Sequence, residues 1–130
     1  MTALIEAKVF YEPGANITCI ATTAVAAGTF VAVTASRAVG ANISVGTCGL
    51  GLAAFGVALY NAAIGELVGV KPISNGGVVG VTAGAGGVTF AQEVQSDATG
   101  FAVTLSTGKS CGMAVNTAVA AALVQVNLGR

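Results

Sequence analysis

A chain of 130 residues is long enough for one domain with one core. Hydrophobic residues make up 55% of it and charged residues only 8%, against about 25% in an ordinary soluble domain. The missing charge is replaced by Ala, Gly, Thr, Ser and Asn, so the composition implies a surface covered by neighbours in an assembly. Five acidic and five basic side chains are scattered singly and sum to zero, which excludes a nucleic-acid footprint built on phosphate neutralisation.

The opening stretch, "MTALIEAKVFYEPG", carries Glu6 and Lys8 where a signal peptide would need an apolar run, so no export is expected. Glu6, Lys8, Phe10 and Glu12 fall at every second place, with Tyr11 beside them. Residues 1–13 therefore read as an extended N-terminal arm able to add a strand to a partner, the alternative being a frayed terminus.

Residues 14–130 read as one all-β domain, a small β-barrel or β-sandwich. The β-branched runs are short and separated by Gly, Asn, Ser and Thr. Strands are expected over 16–22, 29–34, 56–59, 66–73, 78–82, 93–96, 101–105, 113–115 and 123–127. Ser74-Asn75-Gly76-Gly77 predicts a hairpin turn, and Asp97-Ala98-Thr99-Gly100 predicts another. Mean hydropathy is +0.86. Even so, the most apolar segment, 48–59, is too short to span a membrane as a helix. The chain also has no Trp and only two Tyr with which to build the aromatic girdles of a membrane barrel, so no membrane partner is expected.

The chain repeats itself. "GVALYNAAIGELVGV" at 56–70 and "GMAVNTAVAAALVQV" at 112–126 match at an offset of 56. Gly56 aligns with Gly112, Ala58 with Ala114, Ala62 with Ala118, Leu67 with Leu123, Val68 with Val124 and Val70 with Val126. A weaker echo relates 28–36 to 88–96 at an offset of 60, placing repeat-like units at about 21–70 and 81–126. The alanine-rich stretch 117–126 could be helical by propensity. Its twin holds Gly65 and Gly69, so both are read as a short loop followed by a strand.

No catalytic, cofactor-binding or metal-ligating set emerges. There is no histidine, which removes the usual general base and the commonest metal ligand. Cys19, Cys48 and Cys111 are odd in number and widely spaced, as buried thiols are and as disulfide frameworks or zinc sites are not. Gly108-Lys109-Ser110 matches the end of a P-loop, but the glycine required five residues earlier is Val103. The segment 101–115 reads instead as strand, tight polar turn and strand, with Lys109 exposed. Gly49-Leu50-Gly51-Leu52-Ala53-Ala54 matches a dinucleotide fingerprint. Gly56 interrupts the helix that motif needs, and Lys71 stands where an acid should, so a packed glycine loop is expected. An enzyme is not expected.

"YEPGANITCIATTAVAAGTFVAV" at 11–33 resembles the opening of the tailed-bacteriophage capsid decoration, or cement, proteins. Pro13, Gly14, Ile17, Thr18, Gly28 and Val31 stand in the family's places. The later "EVQSDATGFAVTL" and "CGMAVNTAVAAALVQVNL" look like the rest of its pattern, while 48–56 departs from it in being glycine-rich and apolar. The resemblance implies a structural protein on the outer surface of an icosahedral head, made in the host cytoplasm. Its partners would be the major capsid protein and two further copies of itself in a homotrimer, and it would reinforce the expanded shell. In that reading Lys8, Phe10, Tyr11 and Glu12 are the candidate capsid-binding residues. A head-fibre base or a tail-associated adhesion domain is the alternative.

Overall fold

The structure, a computed structural model, describes residues 16–129. Ten strands and one short 3-10 turn make up its regular elements. They are β1 (Ile17–Ala21), β2 (Phe30–Val33), β3 (Ile43–Thr47), β4 (Gly56–Ala58), β5 (Leu67–Pro72), the 3-10 turn (Ile73–Asn75), β6 (Val78–Thr82), β7 (Glu93–Ser96), β8 (Ala102–Thr104), β9 (Gly112–Ala114) and β10 (Leu123–Leu128). The fold is all-β, as the sequence predicts. The first five strands close into a barrel in the order β1-β3-β2-β4-β5, and the second five form a sheet in the order β6-β10-β9-β7-β8.

The two sheets share one topology and one register. In the barrel, Gly56, Val57 and Ala58 face Pro72, Lys71 and Val70; in the second sheet, Gly112, Met113 and Ala114 face Leu128, Asn127 and Val126. Every pair is displaced by 56. The glycine that opens each motif has a packing reason. A Cβ on Gly56 would sit 2.4 Å from the Lys71 carbonyl oxygen, and a Cβ on Gly112 would sit 2.4 Å from that of Asn127. The bridges Val25–Ala62 and Val88–Ala118 also correspond, as do the side-chain caps on them: Asn61 Oδ1 accepts from the Ala27 amide, and Thr117 Oγ accepts from that of Phe90. Strand pairing places β2 against β7 at an offset of 63, not the 60 of the sequence echo, because Val31 and Val94 face the equivalent glycines Gly56 and Gly112.

Three expectations are corrected. The Asn75-Gly76 segment makes no hairpin: both edges of β5 are taken by β1 and β4, so the 3-10 turn and the left-handed Gly76 and Gly77 carry the chain into the other sheet. Nor do β8 and β9 form a hairpin, because β7 lies between them. Strand β3 went unpredicted, since Ser44, Gly46 and Thr47 give it a weak apolar alternation. Gly46 is required there by the threonines that crowd it: its Cβ would meet Thr23 Oγ1 at 2.9 Å and Thr34 Cγ2 at 3.0 Å. The Asp97–Gly100 turn forms as expected, with Asp97 Oδ1 accepting from the amides of Thr99 and Phe101.

The sheets differ in how they close. In the barrel, β3 pairs in parallel with β1 through Cys19–Ile43, Ile20–Ser44 and Ala21–Val45. In the second sheet the equivalent strands, β8 and β6, meet at the single bridge Ala83–Ala102. Residues 28–30 of the barrel occupy the remaining gap. The Thr82 amide donates to the Gly28 carbonyl on one side (2.8 Å), and the Phe30 amide donates to the Gly100 carbonyl on the other (2.8 Å). Because successive side chains of a strand point to opposite faces, Val31 enters the barrel core while Phe30 enters the core of the second sheet, beside Val81, Val94 and Val124. Cys48 and Val57 follow Phe30 into that core.

Phe30 is completely buried, so Phe30→Ala is expected to cost about 4 kcal/mol, read as a lower denaturation midpoint. The left-handed turn positions Gly28 and Gly65 in the first copy are Ala91 (φ 67°) and Ala121 (φ 69°) in the second. Ala91→Gly and Ala121→Gly should each relieve strain and stabilise by about 0.5 kcal/mol, seen as additive rises in melting temperature. Burial pushes the Cys19 and Cys111 thiols up to about 11. The folded state thus holds protons that the unfolded state releases near pH 9, and stability should be full below pH 9 and fall between pH 9 and 11. Unfolding curves at stepped alkaline pH read this directly; Cys19→Ala with Cys111→Ala should flatten that slope.

Candidate interaction site at the crossed loops

In each sheet a loop carries the chain from one side of a strand to the other. Residues 48–55 connect β3 to β4, and residues 105–111 connect β8 to β9. These loops contain the two glycine motifs that the sequence singles out, and the fold lays one across the other. The Lys109 amide donates to the Gly51 carbonyl (2.9 Å), and the Gly51 amide donates to the Ser96 carbonyl (2.9 Å). Gly51 and Gly108 meet backbone to backbone: a Cβ on Gly108 would lie 2.4 Å from Gly51 Cα. The glycines thus serve close approach of two chains, not the cradling of a phosphate.

Buried Gln95 on β7 holds the second loop from beneath. Its Oε1 accepts from the Ser106 amide (2.8 Å) and the Gly108 amide (3.0 Å). Ser110 Oγ donates to Glu93 Oε1 (3.0 Å). Ser96 Oγ donates to the Cys48 carbonyl (3.4 Å) and the Asp97 carbonyl (2.9 Å). Cys48 itself is buried against the carbonyls of Gly49 and Leu52, and burial raises its thiol above the ordinary value. With so many directed bonds the tip is fixed, and it presents Leu50 (65% exposed), Leu52 (58% exposed) and Lys109 to solvent. Ala54 and Phe55, at the base of the first loop, line an open cleft of about 440 Å³ with Ile73, Ser74 and Gly129.

The chemistry available here is that of a contact surface. Glu93 and Asp97 are each drawn into local hydrogen bonds and do not converge on one point. Among the described residues no group of three His, Cys, Asp or Glu side chains could hold a metal ion. Lys8, Phe10, Tyr11 and Glu12 lie outside the described residues. Sequence reasoning found Lys109 and its exposure but missed the loop pair, since nothing in one dimension says that position 51 meets position 108.

No curated protein matches the chain. Among solved structures, the crystal structure of the head fiber gp8.5 N base in bacteriophage phi29 superposes with a TM-score of 0.72 at 20% identity, covering 88% of this chain and 93% of that one. At that identity the likeness is one of fold. The phage cement protein model matches residues 11–129, nearly all of the sequence and every strand described above, and the chain belongs to that family.

Proposed function

We propose that the protein binds the outer surface of an icosahedral phage capsid and stabilises the expanded shell without catalysing a reaction. The observation that carries this reading is family membership across residues 11–129. The site chemistry supports it: a fixed, apolar, nearly uncharged protrusion suits contact and offers no general acid or base. Residues 1–13 act as an arm reaching the major capsid protein, with Lys8, Phe10, Tyr11 and Glu12 as its contacts. Three copies gather as a homotrimer, so that three weak arms bind together with an avidity that one lacks. A second reading, a head-fibre base, is favoured by the fold shared with the phi29 head fiber N base.

Quantitative mass spectrometry of purified virions separates the two. A ratio near one copy per major capsid protein is expected for decoration, whereas a much smaller number would favour the fibre base. Deleting residues 1–12 should leave the melting transition intact and abolish the protein's protection of heads against heat or chelator. Undiminished shell affinity of that truncation would overturn the arm.

A further inference from the structure

We propose that Pro13-Gly14-Ala15 is seated against Ile73 in the open cleft at the base of the first crossover loop, and that this seat fixes where the N-terminal arm leaves the barrel. The inference concerns the protein by itself and stands apart from capsid binding.

Three observations carry it. The first is where the chain enters. The described residues start at Asn16, and β1 runs antiparallel to β5 with Ile17 opposite Val70. Traced backward along that ladder, Asn16 and Ala15 pass Lys71 and Pro72, and Gly14 and Pro13 arrive beside Ile73 and Ser74, two walls of the cleft. The second is the internal repeat. Ile17 faces Val70 and Val79 faces its equivalent Val126, so β1 corresponds to β6 at an offset of 62. Pro13, Gly14 and Ala15 then correspond to Asn75, Gly76 and Gly77, while Ile73 corresponds to Gly129 at the offset of 56. In the second copy that lead-in lies on the end of β10: the Leu128 amide donates to the Gly77 carbonyl (2.9 Å), and a Cβ on Gly129 would lie 3.7 Å from Gly76 Cα, in van der Waals contact. In the first copy the Ile73 side chain takes the place of that Cβ, and Gly14 the place of Gly76. The third is the glycine itself. Gly76 has φ 66° and ψ −159°, a region open essentially to glycine alone. Position 14 is the one glycine that precedes β1, and it is the position that corresponds.

Tethering selects the occupant. Residues 13–15 are held within a few residues of the cleft wall by β1, at an effective concentration that no free partner matches. Pro72 stands where Leu128 does and has no amide hydrogen to donate, so the seat rests on packing against Ile73 instead of on that hydrogen bond. Pro13 then changes the path beyond the seat. A residue that precedes proline is driven out of the helical region, so Glu12 cannot repeat the 3-10 turn that its equivalent Ser74 makes. In the second copy that turn joins the lead-in to β5. In the first, the proline releases the chain as an extended arm, with Lys8, Phe10, Tyr11 and Glu12 all beyond the seat.

The test uses the full-length chain without shells. Gly14→Ala places a Cβ in a conformation reserved for glycine and is expected to lower the melting temperature by about 5 °C. Ala15 corresponds to the left-handed Gly77 (φ 84°), so Ala15→Gly should raise it by about 2 °C. A frayed terminus would leave both unchanged. In wild-type protein, nuclear Overhauser contacts are expected between the Gly14 α-protons and the Ile73 methyls. Neutral substitutions, or Ile73 methyls that meet no residue before Asn16, would overturn the proposal and leave the cleft to the shell protein. Contacts found solely between labelled and unlabelled copies in a mixed sample would assign the cleft to another copy's segment and also overturn it. Should Gly14→Ala fail to fold, the rise in Ala15→Gly and the wild-type contacts decide the matter. Failure of the protein to bind shells would sink the capsid reading and leave this seat standing.

Discussion

The architecture depends on residues 28–30 lying between β6 and β8. The second sheet has the strand order of the first but cannot close as the first does, because Thr82 and Gly100 spend their backbone groups on Gly28 and Phe30. Gly100 is held in a left-handed conformation, and a Cβ there would come 2.8 Å from the Phe30 carbonyl oxygen. A single four-residue strand, β2, then feeds two cores from its two faces. The second sheet has no complete interior without Phe30, Cys48 and Val57 of the first half, so it is expected not to stay folded once the barrel opens.

Around that joint the copies have specialised. Where the β-ladders must superpose, the copies agree to the residue, down to the glycine admitted under a facing carbonyl. Where the chain crosses outside the ladders, they disagree. One crossover loop is apolar and the other polar, and their equivalent glycines touch. Ladder positions are constrained by neighbours on both sides, whereas a loop answers only to what it meets. The differences between the two copies therefore gather in residues 48–55 and 105–111.

Much of this was legible in one dimension. Nine strands followed from β-branched runs between turn residues, and the motif at an offset of 56 anticipated the register of four strands. The cement-protein resemblance, drawn from 11–33 and the later segments, named the family. What escaped was non-local. Strand β3 holds a Ser, a Gly and a Thr among its five residues, and its strand form comes from pairing with β1 on one side and β2 on the other. The Asn-Gly signal at 75–76 is a genuine turn signal, but whether flanking strands pair depends on whether their edges are already occupied. The Gly-Lys-Ser and Gly-x-Gly segments were recognised as unlike working nucleotide loops, yet their true use, each as the other's packing surface, is visible only when both are placed.

The unequal joint between the copies has a consequence for how molecules can join. A unit that inserts a segment into the next unit and receives one from the previous unit makes a contact that repeats without end. Here both ends of such a chain are stopped. The first copy's receiving gap is sealed by direct β1–β3 pairing, and the second copy's inserting segment carries Glu93 in the place of Phe30, with its carboxylate committed to Ser110. Two units therefore saturate each other. The molecule counts to two and halts, and run-on growth into a fibre is stopped by the same asymmetry that completes its core.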